Sequence, residues 1–319
     1  MSALHEPQWR EWRAALTSPR MHHAWILAGR RGLGKHDFAL AAARELVGAV
    51  RSAPVAENDP DIQILTHLPK DDKEARKAEK GEDFETKRNI AIEQIRGMQA
   101  RLTTRPTLGD RRAIIINPAD DLERNAANAL LKSLEEPPAG TFFLLVTHRP
   151  GMLLPTIRSR ARILRFNPLP VSAVEAALRS AADDVDPADI AIAAQASGGA
   201  PGAGEALLSQ KLGAAEALMR RIASEGDPDF TLRGKLGEEI GGRPDRERIA
   251  TTLDLARTVL ARRLEEPVKR DIPALVDAHA RLVTISGQAK SYNFDPGFLA
   301  MEIGTLLASA APLRAPANG

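Results

Sequence analysis

Residues 28–38 read AGRRGLGKHDF, and within them Gly29, Gly34 and Lys35 fit the G-x-x-x-x-G-K spacing of a phosphate-binding loop, with Gly32 between them. Glycines at this spacing let backbone N–H groups turn inward around phosphate oxygens. A helix starting there adds partial positive charge, and the lysine reaches the terminal phosphates. His36 stands where a Ser or Thr hydroxyl would give Mg²⁺ a hard oxygen ligand, and imidazole is a poor ligand for that ion. Such chemistry also needs a carboxylate at the end of the next core strand, yet after AIII (113–116) come Asn117 and Pro118. An amide offers no negative charge, and proline cannot polarise a water. Asp120 and Asp121 come a few residues later, too far along the loop to substitute unless the alignment shifts. The loop reads either as a weak nucleotide site or as a segment that only packs its domain. Hydrolysis by this chain alone is not expected.

Other chemistry is scarce. The 319 residues contain no Cys, which excludes disulfides, cysteine nucleophiles and thiolate metal sites. The histidines show no metal-type clustering: His22 and His23 adjoin a strand start and His148 follows a strand end, where structural roles are expected. There is no G-x-S-x-G elbow. A hydrophobic share of 43% and a charged share of 27% describe a soluble globular chain, and its length suggests two or three domains. No apolar run reaches the roughly 18 residues of a membrane span, and the N-terminus MSALHEPQWREWRAAL is amphipathic, so a cytoplasmic location is expected. A formal net charge of +2 leans only mildly towards anionic partners.

The elements that must position the loop are legible as alternation. AWILA (24–28), IQIL (62–65), AIIIN (113–117), TFFLLVT (141–147) and RILRF (162–166) read as buried strands. Helical patterns such as HDFALAAARELVGAV and NAANALLKSLEE fill the gaps, the latter stopped by Pro137 and Pro138. Strands buried on both faces and separated by helices make a parallel, doubly covered sheet, so residues 1–167 form an α/β nucleotide-fold domain. Within it, 70–88 is densely charged with both signs and has almost nothing apolar besides Phe84, which reads as a solvated insertion that can form a short charged helix. From residue 168 onward the chain reads as helix. A small domain over 168–208 closes at the Gly-Pro-rich GGAPGAG (198–204), and a bundle follows over 209–319 with APLRAPANG as a frayed tail.

The stretch NALLKSLEEPPAGTFFLLVTHRPGMLLPTIRSRARILRF (128–166), with HAWILAGRRGLGK upstream and YNFDPGFLAMEI near the end, resembles the clamp-loader branch of the AAA+ proteins. The resemblance covers about the full length, densest over 110–166. It implies a five-stranded AAA+ P-loop domain, a small helical lid and a C-terminal all-helical collar-type domain for oligomerisation. It also implies a place in a five-subunit machine that sets a ring-shaped sliding clamp on primed DNA, within a replicative DNA polymerase holoenzyme. The partners would be ATPase subunits of the tau/gamma type and a delta-type subunit. No cofactor is required; weakly bound ATP or ADP is the ligand the loop allows.

In that family a Ser-Arg-Cys motif sends its Arg to a neighbour's nucleotide. Ser159 and Arg160 match it, with Ala161 where Cys is usual. A planar cation supplied in trans stabilises charge growing on the transferred phosphate and contributes about 10³–10⁵ in rate in GTPases. Arg158 and Arg162 are close competitors. Thr147 falls where the family keeps a polar residue facing the phosphates, or else caps the next turn. Many relatives carry a four-cysteine zinc module after the first helix; here the charged 50–88 region replaces it and no zinc is expected. The GGAPGAG turn, with Ala203, offers no nucleotide-sensing arginine. Three readings follow: a non-motor subunit lending Arg160, an active ATPase subunit using His36 with Asp120 or Asp121, and a free-standing remodelling factor whose helical tail binds DNA.

Overall fold

The computed structural model describes residues 2–49, 58–182, 184–264, 272–289 and 294–311. Residues 50–57 of the charged region, 265–271 of the mixed-sign stretch near the bundle, Tyr292 and Asn293 of the C-terminal motif, and most of the expected tail lie outside them. The chain divides into two units, 1–168 and 169–319.

In the first unit, α1 (Glu6–Leu16) precedes β1 (Ala24–Ala28) and α2 (Lys35–Gly48). β2 (Ile62–Leu65), α3 (Asp72–Glu79), α4 (Ile92–Leu102) and β3 (Arg112–Ile116) follow. α5 (Arg124–Glu135), β4 (Thr141–Thr147), α6 (Pro155–Arg158) and β5 (Arg162–Arg165) complete it. The strands form one parallel sheet in the order β2-β3-β4-β1-β5, the α/β arrangement expected of an AAA+ P-loop domain. β1 and β3 are buried throughout and β4 nearly so, because helices cover both faces and leave no polar side to the sheet. Ala24, Ile26, Ile114, Ile116, Phe143 and Leu145 share a core with Ile95, Met98, Leu130 and Leu134.

Parallel register brings the carboxyl ends of three strands to one edge of the sheet. Ala28 pairs with Thr147 across β1 and β4, and Ile116 with Leu145 across β3 and β4. The loops after β1, β3 and β4 therefore leave side by side, the usual place for a ligand in an open α/β sheet.

The charged insertion is more ordered than a solvated run requires. Asp71 caps α3 by accepting from Glu74 N at 3.0 Å, and Glu74, itself buried, accepts from Glu85 N at 2.7 Å and pairs with Lys77 at 2.9 Å. Glu74 thereby ties the helix to the second half of the insertion, beside the backbone bonds from Lys70 N to Glu85 O at 2.9 Å and from Lys87 N to Leu68 O at 2.7 Å.

In the second unit come α7 (Val171–Ala181), α8 (Pro187–Ala196), α9 (Pro201–Ser209), α10 (Gly213–Glu225) and α11 (Thr231–Ile240). α12 (Arg246–Arg263), α13 (Ile272–Gln288) and α14 (Pro296–Ser309) close the described part. Val174, Leu178, Ile190, Met219, Ile222, Leu253, Leu282 and Ile303 all belong to its one core. The GGAPGAG segment corrects the turn reading, because α9 starts inside it at Pro201. Proline suits the first helical position, and Gly204 packs against Leu178, whose Cδ1 would lie 2.8 Å from an added Cβ. Among the described residues no helix is long and apolar enough to cross a membrane.

Candidate functional site

The loop after β1 has the backbone that the glycine spacing anticipates. A Cβ on Gly29 would stand 2.5 Å from the Phe166 carbonyl oxygen, so only glycine allows the close approach. Gly34, at φ +68°, caps α2 in the left-handed region and turns the chain into the helix at Lys35. Gly32 also has a positive φ. The loop is tied at both ends of its turn, since Gly29 N donates to Thr147 O at 3.2 Å and the buried His5 donates from Nε2 to Leu33 O at 2.7 Å. His5 also meets Phe166 edge to face. Burial lowers its pKa, Lys35 adding to the effect, and the Leu33 carbonyl opposes it.

Lys35 is 3% exposed, and its Nζ donates to Arg30 O at 2.5 Å. Burial lowers its pKa to about 8, against the raising influence of Asp120. Asp120 is thus not too far along the loop. The short 3₁₀ turn Ala119–Asp121 brings it back beside Lys35 and Thr147. Its Oδ1 accepts from Thr147 Oγ1 at 2.5 Å and from Arg149 N at 3.2 Å, and its Oδ2 accepts from His148 N at 2.6 Å. The carboxylate is thereby engaged by a hydroxyl and two amides beside a buried cation. Asp121 stands 3.2 Å from His67 Nε2.

Thr147 is fully buried. It faces the loop through Asp120 and accepts from Arg149 N at 3.2 Å in the turn that follows. His148 is pushed down to about 4, first by burial, then by Lys35 and Arg31, with Asp120 and Asp121 opposing. It therefore stays neutral at physiological pH.

His36 and Asn117 meet directly, Asn117 Nδ2 donating to His36 Nδ1 at 3.2 Å. The two positions that would carry a hydroxyl and a carboxylate for magnesium form an imidazole–amide pair. Neither atom of that contact is a hard anionic oxygen, so Mg²⁺ does not fit there. Among the described residues there is no cluster of His, Asp or Glu suited to a metal ion.

The arginines around β5 are sorted by their partners. Arg162 pairs with Glu11 at 2.8 Å and lies over Trp25, 5.0 Å from the ring centre. Arg160 Nη1 donates to Thr156 O at 3.0 Å and Ser159 Oγ at 3.2 Å, while Nη2 stands 2.7 Å from Glu135 Oε1. Ser159 and Arg158 are exposed, and Ala161 packs against the sheet core, filling the apolar part of the place a cysteine would take. Sequence reasoning missed His5, whose partner lies twenty-eight positions away with no local pattern to announce it. Asp120 was visible, but its return to the pocket depends on a turn.

The family described as "DNA polymerase III, delta subunit" matches residues 4–170. The DNA polymerase III subunit delta' of Pseudomonas aeruginosa is 33% identical over 163 residues, 47% of this chain and 44% of that protein. The Bacillus subtilis subunit delta' is 31% identical over 172 residues, 50% of this chain and 47% of the relative. The chain thus spans about half the length of the curated relatives it matches. Among solved structures, a gamma subunit-related protein of Thermotoga maritima covers 95% of this chain and is itself 99% covered, at 20% identity and a TM-score of 0.48. With more than half of its residues matched, the chain belongs to the DNA polymerase III delta-subunit family.

Proposed function

We propose that this chain is a hydrolysis-deficient, delta-prime-type subunit of a clamp loader that lends Arg160 in trans to the nucleotide of a neighbouring ATPase subunit. The observation that carries the reading is the His36–Asn117 contact at 3.2 Å, an imidazole and an amide where a magnesium site would need hard oxygen ligands. Asp120, the carboxylate nearest Lys35, is already engaged by Thr147 and two backbone amides. Rebuilding a metal site would break three hydrogen bonds in a confined pocket. Gly29, Gly32, Gly34, Lys35, His36 and Thr147 then form a loop that holds ATP or ADP weakly, without metal.

The Arg160 guanidinium is partly exposed, held by Thr156 O and Ser159 Oγ at Nη1 and by Glu135 at Nη2, which suits a cation that can be offered to another molecule. The partners are ATPase subunits of the tau/gamma type and a delta-type subunit, with the clamp and primed DNA reached through the complex. In the second unit, 168–208 serves as a lid and 209–319 as a collar-type oligomerisation domain. Ile272, Val276 and Val283 support the latter: they are exposed and share one face of α13, while Leu275, Ala278 and Leu282 on another face are buried.

The experiment mixes the full chain with its partner subunits and compares Arg160→Ala with the unaltered protein. ATP turnover by the complex falls steeply while co-elution of the subunits persists. Unchanged turnover at normal assembly removes Arg160 from the role. Brisk Mg²⁺-dependent hydrolysis by the chain alone, abolished by Lys35→Ala, replaces the reading with that of a motor subunit.

A further inference from the structure

Arg160 has a counter-ion in its own chain, and the way each is held differs. Glu135 is the last residue of α5, a helix stopped by the Pro137–Pro138 pair and packed through the buried Ser133 and Leu134. The Leu134 carbonyl, freed at the helix end, is taken by His23 Nε2 at 2.9 Å, so the backbone at Glu135 is fixed. Arg160 follows α6, its amide donating to Ile157 O at 3.1 Å. Orientation of its guanidinium is set at Nη1 by Thr156 O and Ser159 Oγ. Ser159 Oγ is steadied in turn by its own donation to Thr156 O at 3.1 Å. Glu135 meets the other terminal nitrogen as an ion pair. It stands 2.7 Å from Nη2 as a negative charge, and the two side chains are 49% and 35% exposed.

We propose that Glu135 tempers the Arg160 cation, neutralising it in the free subunit and weakening its pull on a neighbour's phosphate in the complex. The inference rests on the reading of Arg160 as a trans-acting finger, and Glu135 acts only through that arginine. Two physical points fix its direction. The hydrogen bonds at Nη1 keep the guanidinium aimed when Glu135 is gone, so orientation survives. The charge does not: an anion in contact with the finger opposes the stabilisation it gives to negative charge building on a transferred phosphate. Solvent reaches both partners, so the pair is weak and salt-screened, and a polyphosphate competes Arg160 away from it readily.

The test uses the reconstituted complex with Glu135→Gln, which keeps the size and removes the charge, and with Glu135→Asp, which keeps the charge. Single-turnover ATP hydrolysis reads the chemical step, and co-elution reads assembly. Glu135→Gln raises the hydrolysis rate about two- to fivefold at low salt, and the gain fades as salt rises. Glu135→Asp stays near the unaltered rate. A gain of function is not what damage to packing produces. An unchanged or lower rate for Glu135→Gln, with assembly normal and Arg160→Ala still inactive, overturns the proposal while leaving the finger in place. If Arg160→Ala hydrolyses normally, the finger reading itself falls, and this proposal with it.

Discussion

At the phosphate loop and at the end of α6, a basic residue and a nearby carboxylate are held in opposite ways. At the phosphate loop, Lys35 is buried and donates to Arg30 O, and its neighbour Asp120 is engaged by Thr147 and two amides. At the other place, Arg160 and Glu135 meet in solvent, with the guanidinium aimed by a carbonyl and a hydroxyl. A charge locked among several buried partners is expensive to move, whereas an exposed pair exchanges partners at little cost. The contrast teaches where to look for chemistry in this chain. The loop that looks like a motor is tied to itself, and the arginine proposed to meet a neighbour's phosphate sits in a half-exposed ion pair.

The sharpest way to break this comparison is to remove each cation in turn. Arg160→Ala lowers hydrolysis by the assembled complex by about 10²-fold or more, and Arg160→Lys loses most of the same effect because it lacks the planar fork. Lys35→Ala changes the same rate by less than about twofold, since an interaction absent from the transition state leaves turnover alone. Steady-state turnover of complexes with matched subunit content measures both. Equal losses would mean that the pocket works too.

The pocket's self-engagement has a stability consequence of its own. Asp120→Ala strips acceptors from Thr147, His148 N and Arg149 N and leaves Lys35 without its nearby anion. We expect a loss of about 3–4 kcal/mol in urea unfolding, with Thr147→Val costing about 1–2 kcal/mol because one of the three bonds to Asp120 goes, together with the one Thr147 accepts from Arg149 N. Glu135→Gln, by contrast, changes stability by less than about 1 kcal/mol.

How far the sequence carried this picture depends on the range of the contacts. Runs such as AIII and TFFLLVT are strands because an uninterrupted apolar stretch bounded by turn residues has few other uses, and the sheet contains all five of the expected runs. The loop glycines are equally legible, since each serves a backbone need that is local. GGAPGAG misled because glycine signals both a turn and a close approach, and at Gly204 the Leu178 side chain makes it the latter. His5 was unreadable as a residue of the site, and Asp120 readable only as one alternative, for a different reason. Each reaches the loop by tertiary geometry, His5 from a 3₁₀ segment at the N-terminus and Asp120 from a turn after β3, and no periodicity encodes such a reach. The Glu135–Arg160 pair spans twenty-five positions and is invisible for the same reason.

A milder way to probe the pocket is acid. His148 is held down at about 4 by burial and by Lys35, whereas a histidine in the unfolded chain titrates near 6.5. Between those values the unfolded chain binds a proton that the folded one does not, so stability falls as pH drops through the window and levels off below it. His148→Gln lacks this component. The stability gap between the unaltered chain and the variant should narrow by at most roughly 3 kcal/mol between pH 7 and pH 4. Urea unfolding at a series of pH values reads the narrowing, and parallel curves would mean that His148 is not shielded as the pocket requires.

The smallest expected effect separates aim from charge at the exposed site. Ser159→Ala removes one of the two acceptors at Arg160 Nη1 and leaves the Thr156 carbonyl and the Glu135 contact in place. A single solvent-exposed hydrogen bond contributes about 0.5–1 kcal/mol, so the guanidinium wanders more and hydrolysis by the complex falls about twofold. Glu135→Gln moves the same rate the other way. Opposite signs at neighbouring partners of one arginine are what an aimed but tempered cation gives. If both substitutions lower the rate equally, Glu135 is one more anchor, and the exposed site is built on the same plan as the buried one.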